Sequence, residues 1–203
     1  MNKKLIEKFN SQAKTYDRMR EKHFQQKWRK KLIGEAKGHV LELAVGAGGN
    51  FPFYRLEEID SITAVDFSPE MLHKARKGAH LYHLPVRFIE SDIEKLVFEK
   101  HKFDTVISTL SFCGYRNPLQ ILENVSTWCK PNGQVLLLEH GISSNFIVSK
   151  IQKAMDPFAV KTVGCHQDRN IMELISRSPL DIQKAEHHWM DVFHLIWAKP
   201  RKE

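Results

Sequence analysis

The sequence is poor in cysteine, and the few cysteines that it has show no pairing pattern. Cys113, Cys129 and Cys165 are odd in number and widely spaced, and no Cys-x-x-Cys pair occurs. This favours a reduced protein and argues against a disulfide scaffold or a zinc site. No set of His, Asp and Glu residues shows the spacing of metal ligands either, so the sequence predicts no metal centre.

Long apolar runs are absent as well. No uninterrupted apolar segment is long enough to span a bilayer. Residues 1–8 lack the apolar core of a signal peptide. Taken together with the unpaired cysteines, these features lead us to expect a cytoplasmic protein, with peripheral attachment to a membrane as an open alternative.

The composition is that of an ordinary soluble globular protein, with 42% hydrophobic and 27% charged residues. A length of 203 residues fits one domain with a substantial core. Positive charge is concentrated at one end, because residues 1–38 carry a net charge of +8 and the remainder carries −1. Such a basic segment suggests an anionic partner, namely a lipid surface, a phosphate-bearing substrate or nucleic acid. A solvated helix face explains the charge equally well.

The basic segment is itself predicted to be helical. Apolar residues recur through residues 3–33 at spacings of three and four, namely Leu5, Phe9, Ala13, Tyr16, Phe24, Trp28 and Leu32. Such a stripe either packs as a lid over a pocket or lies on a membrane interface. We favour the lid, because apolar stripes usually pack against their own domain. Peripheral contact of residues 1–33 with an anionic membrane is the alternative.

Further along the chain, short apolar runs alternate with helical patterns. Five runs are predicted strands, at residues 39–45, 61–66, 86–90, 103–110 and 134–140. Helices are predicted to begin at Ser68-Pro69 and to cover residues 117–129, and residues 48–57 are expected to begin a helix that Pro52 confines to its first turn. This alternation predicts an α/β fold with a mostly parallel sheet and helices on both faces.

The pattern changes towards the end of the chain. Residues 130–133, Lys-Pro-Asn-Gly, are predicted to form a turn before the fifth strand. Residues 142–176 contain two helical stretches, around residues 156–157 and 164–170. Residues 181–198 are predicted to form a C-terminal hairpin of two strands, which brings the expected sheet to seven strands.

A glycine-rich turn follows the first predicted strand. Glu42, Ala44, Gly46 and Gly48 occupy alternate positions there. Glycines after a strand let the backbone approach a nucleotide-type ligand at the carboxyl end of a sheet. The dinucleotide fingerprint is incomplete, because Phe51 replaces its third glycine, and no Gly-Lys-Ser/Thr of a phosphate-binding loop follows. The turn is therefore typical of a nucleoside-like ligand without a pyrophosphate.

These motifs, in this order, resemble those of class I S-adenosylmethionine-dependent methyltransferases of the methyltransferase type 11 group. The family's first strand ends in acidic-x-Gly-x-Gly-x-Gly, and Ala44 replaces the first of these glycines here. The resemblance implies that Asp66 accepts hydrogen bonds from both ribose hydroxyls. It also implies that Asp92 meets the adenine amino group and that Ile93 lies beside the adenine ring.

The resemblance implies a Rossmann-like fold that binds S-adenosyl-L-methionine. Residues 130–133 are similar to the family's Lys-Pro-Gly-Gly turn, and Tyr16-Asp17 is similar to a pair that often closes over the cofactor. The implied cofactor-binding residues are Tyr16, Glu42, Ala44, Gly46, Gly48, Asn50, Asp66, Phe67, Ser91, Asp92, Ile93, Ser108 and Thr109. We expect one methyltransferase domain over residues 1–203, consisting of a lid at 1–38, a cofactor-binding core at 39–140, and a substrate roof with the last strands at 141–203.

The methyl acceptor is less sharply indicated. Residues 108–113 lack the Asn-Pro-Pro-aromatic signature of enzymes that methylate nucleic-acid bases, so nucleic acid is not the expected partner. Residues 138–141, 156–157 and 164–170 are similar to a subgroup that holds phosphatidylethanolamine N-methyltransferase-like proteins and thiol methyltransferases. We expect a small-molecule or lipid acceptor bearing an amine, thiol or hydroxyl. An RNA-directed enzyme, and a regulatory protein that binds the cofactor without transfer, are the alternatives.

Methyl transfer from a sulfonium is an in-line displacement, in which the enzyme mainly aligns the nucleophile and excludes water. A base is needed only if the nucleophile arrives protonated. His140, at the end of the fifth predicted strand, and His166, on the segment expected to roof the pocket, are the candidate bases. The chain has 11 histidines, so a purely structural role is the alternative for each.

Overall fold

The computed structural model describes residues 3–20 and 24–201, which form one seven-stranded sheet. Its strands are β1 (Gly38–Leu43), β2 (Ile59–Asp66), β3 (Val86–Glu90), β4 (Phe103–Thr109), β5 (Cys129–His140), β6 (Leu180–His188) and β7 (Phe193–Pro200). Their order across the sheet is β3-β2-β1-β4-β5-β7-β6. Only β7 runs against its neighbours among these strands, so the mostly parallel sheet and the C-terminal hairpin are both confirmed.

Six helices surround the sheet within the described residues. They are α1 (Lys3–Met19), α2 (Gln26–Ile33), α3 (Pro69–Leu81), α4 (Pro118–Trp128), α5 (Phe146–Thr162) and α6 (Ile171–Ser176). The side chains of Ser68 and Asn117 cap α3 and α4, each followed by a proline at the first helical position. The predicted starts of these two helices are therefore confirmed.

The core consists of two apolar layers, one on each face of the sheet. Consecutive residues of β1 point to opposite faces, so Val40 packs in one layer and Leu41 in the other. Side chains from α2 and α3 complete the first layer, and side chains from α4 and α6 complete the second. Helices thus cover both faces of the sheet, as predicted.

Three local predictions were wrong. Residues 48–57 form only two 3₁₀ turns, Phe51–Phe53 and Leu56–Glu58, because the next strand begins directly afterwards at Ile59. Residues 130–133 lie within β5 as a bulge, since Cys129 pairs with Phe103 but Gln134 already pairs with Thr105. Residues 164–170 form a loop between α5 and α6, which leaves residues 156–157 inside α5.

The first helix lies across the carboxyl ends of the strands. Ser68 Oγ donates to Asn10 Oδ1 over 2.6 Å, which ties α1 to the start of α3. Lys8 Nζ donates to the Lys161 carbonyl over 2.7 Å, which ties α1 to the end of α5. The predicted N-terminal helical lid is therefore present, although residues 1–2 and 21–23 of that prediction lie outside the described residues. None of the helices described is long and apolar enough to cross a membrane.

Candidate functional site

A cavity of about 410 Å³ opens at the carboxyl ends of the central strands, beneath α1. This size and position are those of a ligand site in a doubly wound sheet. The wall contains predicted residues from both ends of the site, namely Tyr16, Ala44, Gly46, Asp66, Phe67, Asp92, Ile93, Thr109 and His140. The cavity therefore brings together most of the residues that the sequence singled out.

The turn after β1 presents its backbone to this cavity. Ala44 and Gly46 both have a left-handed backbone, with φ of +50° and +54°. A Cβ placed on Gly46 would meet no protein atom within 4 Å, so a side chain there would enter the cavity instead. Gly48 differs, because a Cβ there would lie 2.6 Å from the Phe51 ring. Gly46 thus leaves space for a ligand in the cavity, whereas Gly48 lets the Phe51 ring pack against the other side of the turn.

Asp66 ends β2 at the cavity wall with its side chain almost wholly buried. Its two carboxylate oxygens accept 2.9 Å hydrogen bonds from the backbone N–H groups of Gly46 and Ser68. Burial raises the pKa of Asp66 to about 6, although these hydrogen bonds act in the opposite direction. Each oxygen keeps a second lone pair, so the carboxylate can accept further hydrogen bonds from a ligand.

The next strand supplies a second acidic position. Asp92 caps the short turn after β3 by accepting from Glu94 N–H over 3.2 Å, and Ile93 beside it is buried. Phe67 lies on the same wall and meets Phe9 of α1 edge to face, with ring centroids 5.1 Å apart. An apolar slot with one carboxylate at its rim is suited to a planar heterocycle that carries an amino group.

Glu42 lies behind the glycine turn instead of on the cavity wall. Its carboxylate accepts from Asn50 Nδ2 over 2.8 Å and from the Tyr54 hydroxyl over 2.7 Å. Burial raises the pKa of Glu42 to about 7, against the lowering effect of these hydrogen bonds. Glu42 and Asn50 therefore act on the site by holding the turn in place.

Arg29 is a wall residue that the sequence reasoning missed. Its guanidinium donates to Asn50 Oδ1 over 2.5 Å and to Thr109 Oγ1 over 3.1 Å. A Cβ on Gly49 would lie 3.5 Å from the same guanidinium, so Arg29 abuts the glycine turn. Burial lowers the pKa of Arg29, and the Glu42 and Glu139 carboxylates oppose that shift. Nothing local in the sequence distinguishes it, because it is one of many basic residues in the lid.

Arg20 joins the lid to the glycine turn. Tyr16 and Arg20 both line the cavity. The Arg20 guanidinium donates to the Ala47 carbonyl over 2.9 Å and to Asp17 Oδ1 over 2.6 Å. The Tyr16-Asp17 pair thus provides one wall residue and one residue that orients Arg20.

Five of the predicted cofactor residues lie off the cavity wall, namely Glu42, Gly48, Asn50, Ser91 and Ser108. Ser108 is buried and donates to Glu139 Oε1 over 2.7 Å. Glu139 Oε2 accepts from the backbone N–H groups of Ser111 and Phe112, which fixes the loop after β4. Ser91 donates over 3.3 Å to the Asp92 carbonyl. Both serines therefore stabilise loops that border the site.

The other end of the cavity is formed by His140, Cys165 and Cys113. His140 Nε2 lies 3.0 Å from Cys165 Sγ. Hydrogen bonds with Cys113 and His140 lower the pKa of Cys165 to about 5, although burial opposes this. Burial alone would lower the pKa of His140, but the neighbouring Cys165 outweighs it and leaves that pKa raised. Neither cysteine was singled out as a site residue from the sequence.

His166 is directed away from this end. Its Nδ1 lies 3.1 Å from Asp156 Oδ2 at the surface, and 41% of its side chain is exposed. Gln167 N–H donates to the other oxygen of Asp156, so the carboxylate holds the loop after α5. Of the two candidate bases, the structure brings His140 to the cavity wall and leaves His166 off it.

Known proteins share both the sequence pattern and the fold. The profile of the family described as "Methyltransferase domain" matches residues 41–137. The ubiquinone/menaquinone biosynthesis C-methyltransferase UbiE of Azotobacter vinelandii is 31% identical over 197 residues, with 87% of this chain and 77% of that protein covered. The phosphatidylethanolamine N-methyltransferase of Cereibacter sphaeroides is 29% identical over 147 residues, 71% of either chain.

A longer relative and a solved structure extend the comparison. The mitochondrial methyltransferase OMS1 of Saccharomyces cerevisiae is 28% identical over 210 residues, which cover 95% of this chain and 45% of OMS1. This chain thus spans about half the length of several relatives that it matches. The Haemonchus contortus "Phospholethanolamine N-methyltransferase 2", solved with phosphomonomethylethanolamine and S-adenosylhomocysteine, shares the fold with a TM-score of 0.72 at 15% identity, over 95% of this chain and 58% of that one.

The family relationship follows from these findings. The UbiE match covers most of both proteins, and the profile match coincides with the strands that surround the cavity. The fold, with its single reversed strand β7, is also that of the solved relative. The chain therefore belongs to the class I S-adenosylmethionine-dependent methyltransferases, enzymes whose cofactor is S-adenosyl-L-methionine.

Proposed function

We propose that this protein transfers a methyl group from S-adenosyl-L-methionine to a small-molecule or lipid acceptor by in-line displacement. The observation that carries the proposal is one cavity with two chemically different ends. A nucleoside-shaped end, with Asp66 and Asp92, faces an acceptor end with His140 and Cys165. A methyl group must lie between a donor and a nucleophile, and this cavity carries residues suited to each.

The residues present fit the cofactor. The space beside Gly46 admits a ligand, because this residue has no side chain to fill it. Spare lone pairs on Asp66 suit the two ribose hydroxyls, and Asp92 with Ile93 and Phe67 suits adenine. The Arg29 guanidinium is a buried cation beside the glycine turn, which suits the carboxylate of the methionyl group.

The protein's part in the reaction is mainly alignment and exclusion of water. When bound, the cofactor supplies a sulfonium methyl group that is already activated for attack. Arg29 would hold its methionyl carboxylate and Asp66 its ribose, and α1 would close the cavity through the Arg20 contact with Ala47. His140 is the predicted base for an acceptor that arrives protonated.

The class of acceptor is inferred from the residues of the cavity wall and from the names of the relatives. The wall carries Leu5, Phe9, Val163 and other apolar groups as well as polar ones. Phosphatidylethanolamine and quinone precursors are the acceptors that the relatives' names indicate for those proteins. We infer an acceptor with an apolar portion and an amine, thiol or hydroxyl nucleophile.

We also propose peripheral contact with an anionic membrane, at the cytoplasmic side. The outer face of α5 exposes Phe146, Ile147, Ile151, Met155 and Phe158. Ser143, just before α5, donates to the Met190 carbonyl, so the exposed Trp189-Met190 tip of the β6–β7 hairpin lies close by. Large exposed apolar residues beside a basic helix are typical of membrane-surface binding. The lid stripe of α1 faces the cavity, so α1 contributes charge to this contact.

We propose the three parts with the residue ranges predicted from the sequence, namely a lid at 1–38, a cofactor core at 39–140 and a substrate roof at 141–203. Each part contributes to the cavity, through Tyr16, Asp66 and Cys165 respectively. One cavity shared by all three supports treating them as a single methyltransferase domain.

Binding and turnover test this proposal separately. Calorimetry with S-adenosylhomocysteine should give saturable binding that Asp66→Ala weakens strongly, while circular dichroism stays unchanged. Methyl-labelled cofactor should then label at least one member of a panel of amines, thiols, phenols and phospholipids. Binding without labelling of any panel member or RNA would favour the regulatory alternative. Labelling of RNA alone, with affinity that falls steeply with salt, would favour the nucleic-acid alternative.

A further inference from the structure

The acceptor end of the cavity carries a set of metal-ligating atoms that methyl transfer does not itself require. The sulfurs of Cys113 and Cys165 and one ring nitrogen of His140 lie within 4.8 Å of one another. All three residues line the cavity. We propose that they bind a soft divalent metal ion of the class of Zn²⁺, with one coordination position open to the cavity.

The donor set selects the class of metal. Thiolate and imidazole ligands suit zinc and other soft or borderline ions, whereas calcium and magnesium prefer oxygen ligands. Two thiolates also balance the charge of a divalent ion in a part of the protein where Cys113 is buried. Zinc sites with three protein ligands keep the fourth tetrahedral position for water or a substrate.

The distances require little rearrangement. An ion about 2.3 Å from each sulfur and about 2.0 Å from the nitrogen would hold its ligand atoms roughly 3.5 to 3.8 Å apart. His140 Nε2 and Cys165 Sγ are 3.0 Å apart, and the third ligand atom is within 4.8 Å of both. Small side-chain rotations therefore suffice to create tetrahedral geometry.

The backbone already holds the three ligand-bearing segments together. Cys113 lies in the loop after β4, His140 ends β5, and Cys165 lies in the loop after α5. The backbone N–H of His166 donates to the Cys113 carbonyl over 3.1 Å, which joins the first segment to the third. The Arg169 guanidinium, from the third segment, also donates to the carbonyls of Phe112 and Tyr115. Such preorganisation favours metal binding because little chain entropy is lost.

This assignment changes the role of His140. An imidazole nitrogen that is bound to a metal has no free lone pair with which to accept a proton. His140 would then hold the ion, and the ion would activate whatever occupies its open position. The metal site does not depend on which acceptor the enzyme uses.

A second cluster of ligand atoms provides a matched control. Asp156, His166 and Asp168 also lie within 4.8 Å of one another, but they are mostly oxygen donors at the surface. They do not line the cavity. Zinc bound there would be lost in His166→Ala and retained in the cysteine variants. The proposed site predicts the reverse.

The test is competition for Zn²⁺ between the reduced full-length chain and a chromophoric chelator. The wild type should bind one equivalent tightly. Cys113→Ser and Cys165→Ser should each weaken binding by about a hundredfold or more. Cys129→Ser removes the third, distant cysteine and should leave binding unchanged, as should His166→Ala. With Co²⁺, the wild type should show a thiolate-to-cobalt charge-transfer band that either cavity-cysteine variant diminishes.

Several outcomes would overturn the site. These are no tight zinc in the reduced wild type, equal affinity in the Cys113 and Cys165 variants, or loss of zinc in His166→Ala alone. A Cys113–Cys165 disulfide without metal binding after reduction would replace the metal site with a redox pair. Thermal unfolding of every variant separates loss of ligands from loss of fold. Because S-adenosylhomocysteine binding is measured on the same samples, cofactor binding without zinc would remove this inference and leave the proposed function intact.

Discussion

Ala44 is where the glycine turn departs from the family pattern, and its backbone explains why a glycine is usual there. Its φ of +50° lies in the left-handed region, which costs a residue with a Cβ about 1 kcal/mol. Ala44→Gly should therefore raise the free energy of unfolding by up to about 1 kcal/mol. Urea unfolding of both proteins measures this. Ala47→Gly is the control and should be destabilising, since Ala47 has no positive φ. Equal destabilisation by both changes would contradict the strain argument.

Asp66 is expected to make cofactor affinity dependent on pH. Burial raises its pKa to about 6 from an ordinary value near 3.8. The ionised carboxylate accepts ribose hydroxyl hydrogen bonds better than the protonated form, so bound ligand opposes protonation. Affinity for S-adenosylhomocysteine should be constant near pH 7 and should fall up to about tenfold per pH unit below pH 6. Asp66→Asn should bind weakly with no such dependence between pH 5 and 7. An equally steep fall in Asp66→Asn would place the titrating group elsewhere.

Arg29 is expected to recognise only one part of the cofactor. A charge-assisted hydrogen bond contributes about 1.5 to 3 kcal/mol, so Arg29→Met should weaken S-adenosylhomocysteine about tenfold to a hundredfold. Methylthioadenosine lacks the amino-acid carboxylate and should lose little affinity. Calorimetry with both ligands makes the comparison on one variant. Equal losses would mean that Arg29 acts by holding Asn50 and Thr109.

At the level of elements, the lid depends on a few polar contacts as well as on its apolar stripe. Arg20 donates to the Ala47 carbonyl of the glycine turn, at the carboxyl-terminal end of the α1 segment. Arg20→Met should therefore let α1 open more often and should increase the dissociation rate of S-adenosylhomocysteine. Hydrogen exchange along α1 and stopped-flow dissociation measure the two effects. Arg18→Ala alters an exposed residue of the same helix and should change neither. Unchanged exchange in Arg20→Met would assign closure to the apolar stripe and to the contacts of Asn10 and Lys8.

Elements with a local sequence pattern were predictable from the sequence, and contacts between distant segments were not. Asp66 and Asp92 were singled out because they lie at the carboxyl ends of two neighbouring strands, β2 and β3, and match acidic positions of the family. Arg29 was missed because burial among basic neighbours leaves no local pattern. The grouping of Cys113 with Cys165 was missed for a related reason, since the two lie 52 residues apart and meet only through the fold. The helix start predicted for residues 48–57 was wrong, because β2 begins at Ile59, directly after this segment.

At the scale of the whole molecule, the same segments that close the cavity also present its outer surface. The cavity roof includes Val163, Gly164 and Cys165, which directly follow α5. Lys8 of α1 caps the end of α5 through the Lys161 carbonyl. The end of α5 thus contacts the lid and leads directly into the acceptor end of the cavity. In the membrane contact that we propose, an acceptor delivered from the bilayer would reach the site beside α5.

The membrane contact that we propose predicts binding to anionic vesicles that depends on the outer face of α5. Ile151 and Phe158 are 54% and 66% exposed, so Ile151→Glu with Phe158→Glu should not disturb the fold. The wild type should sediment with vesicles that contain phosphatidylglycerol, and the double variant should lose roughly tenfold or more in partitioning, because burial of each side chain is worth about 1.5 to 3 kcal/mol. Val97→Glu, at another exposed apolar residue, is the matched control and should bind like the wild type. Added salt should weaken wild-type binding as it screens the basic lid. Equal sedimentation of the double variant and the wild type would leave α5 without a membrane role.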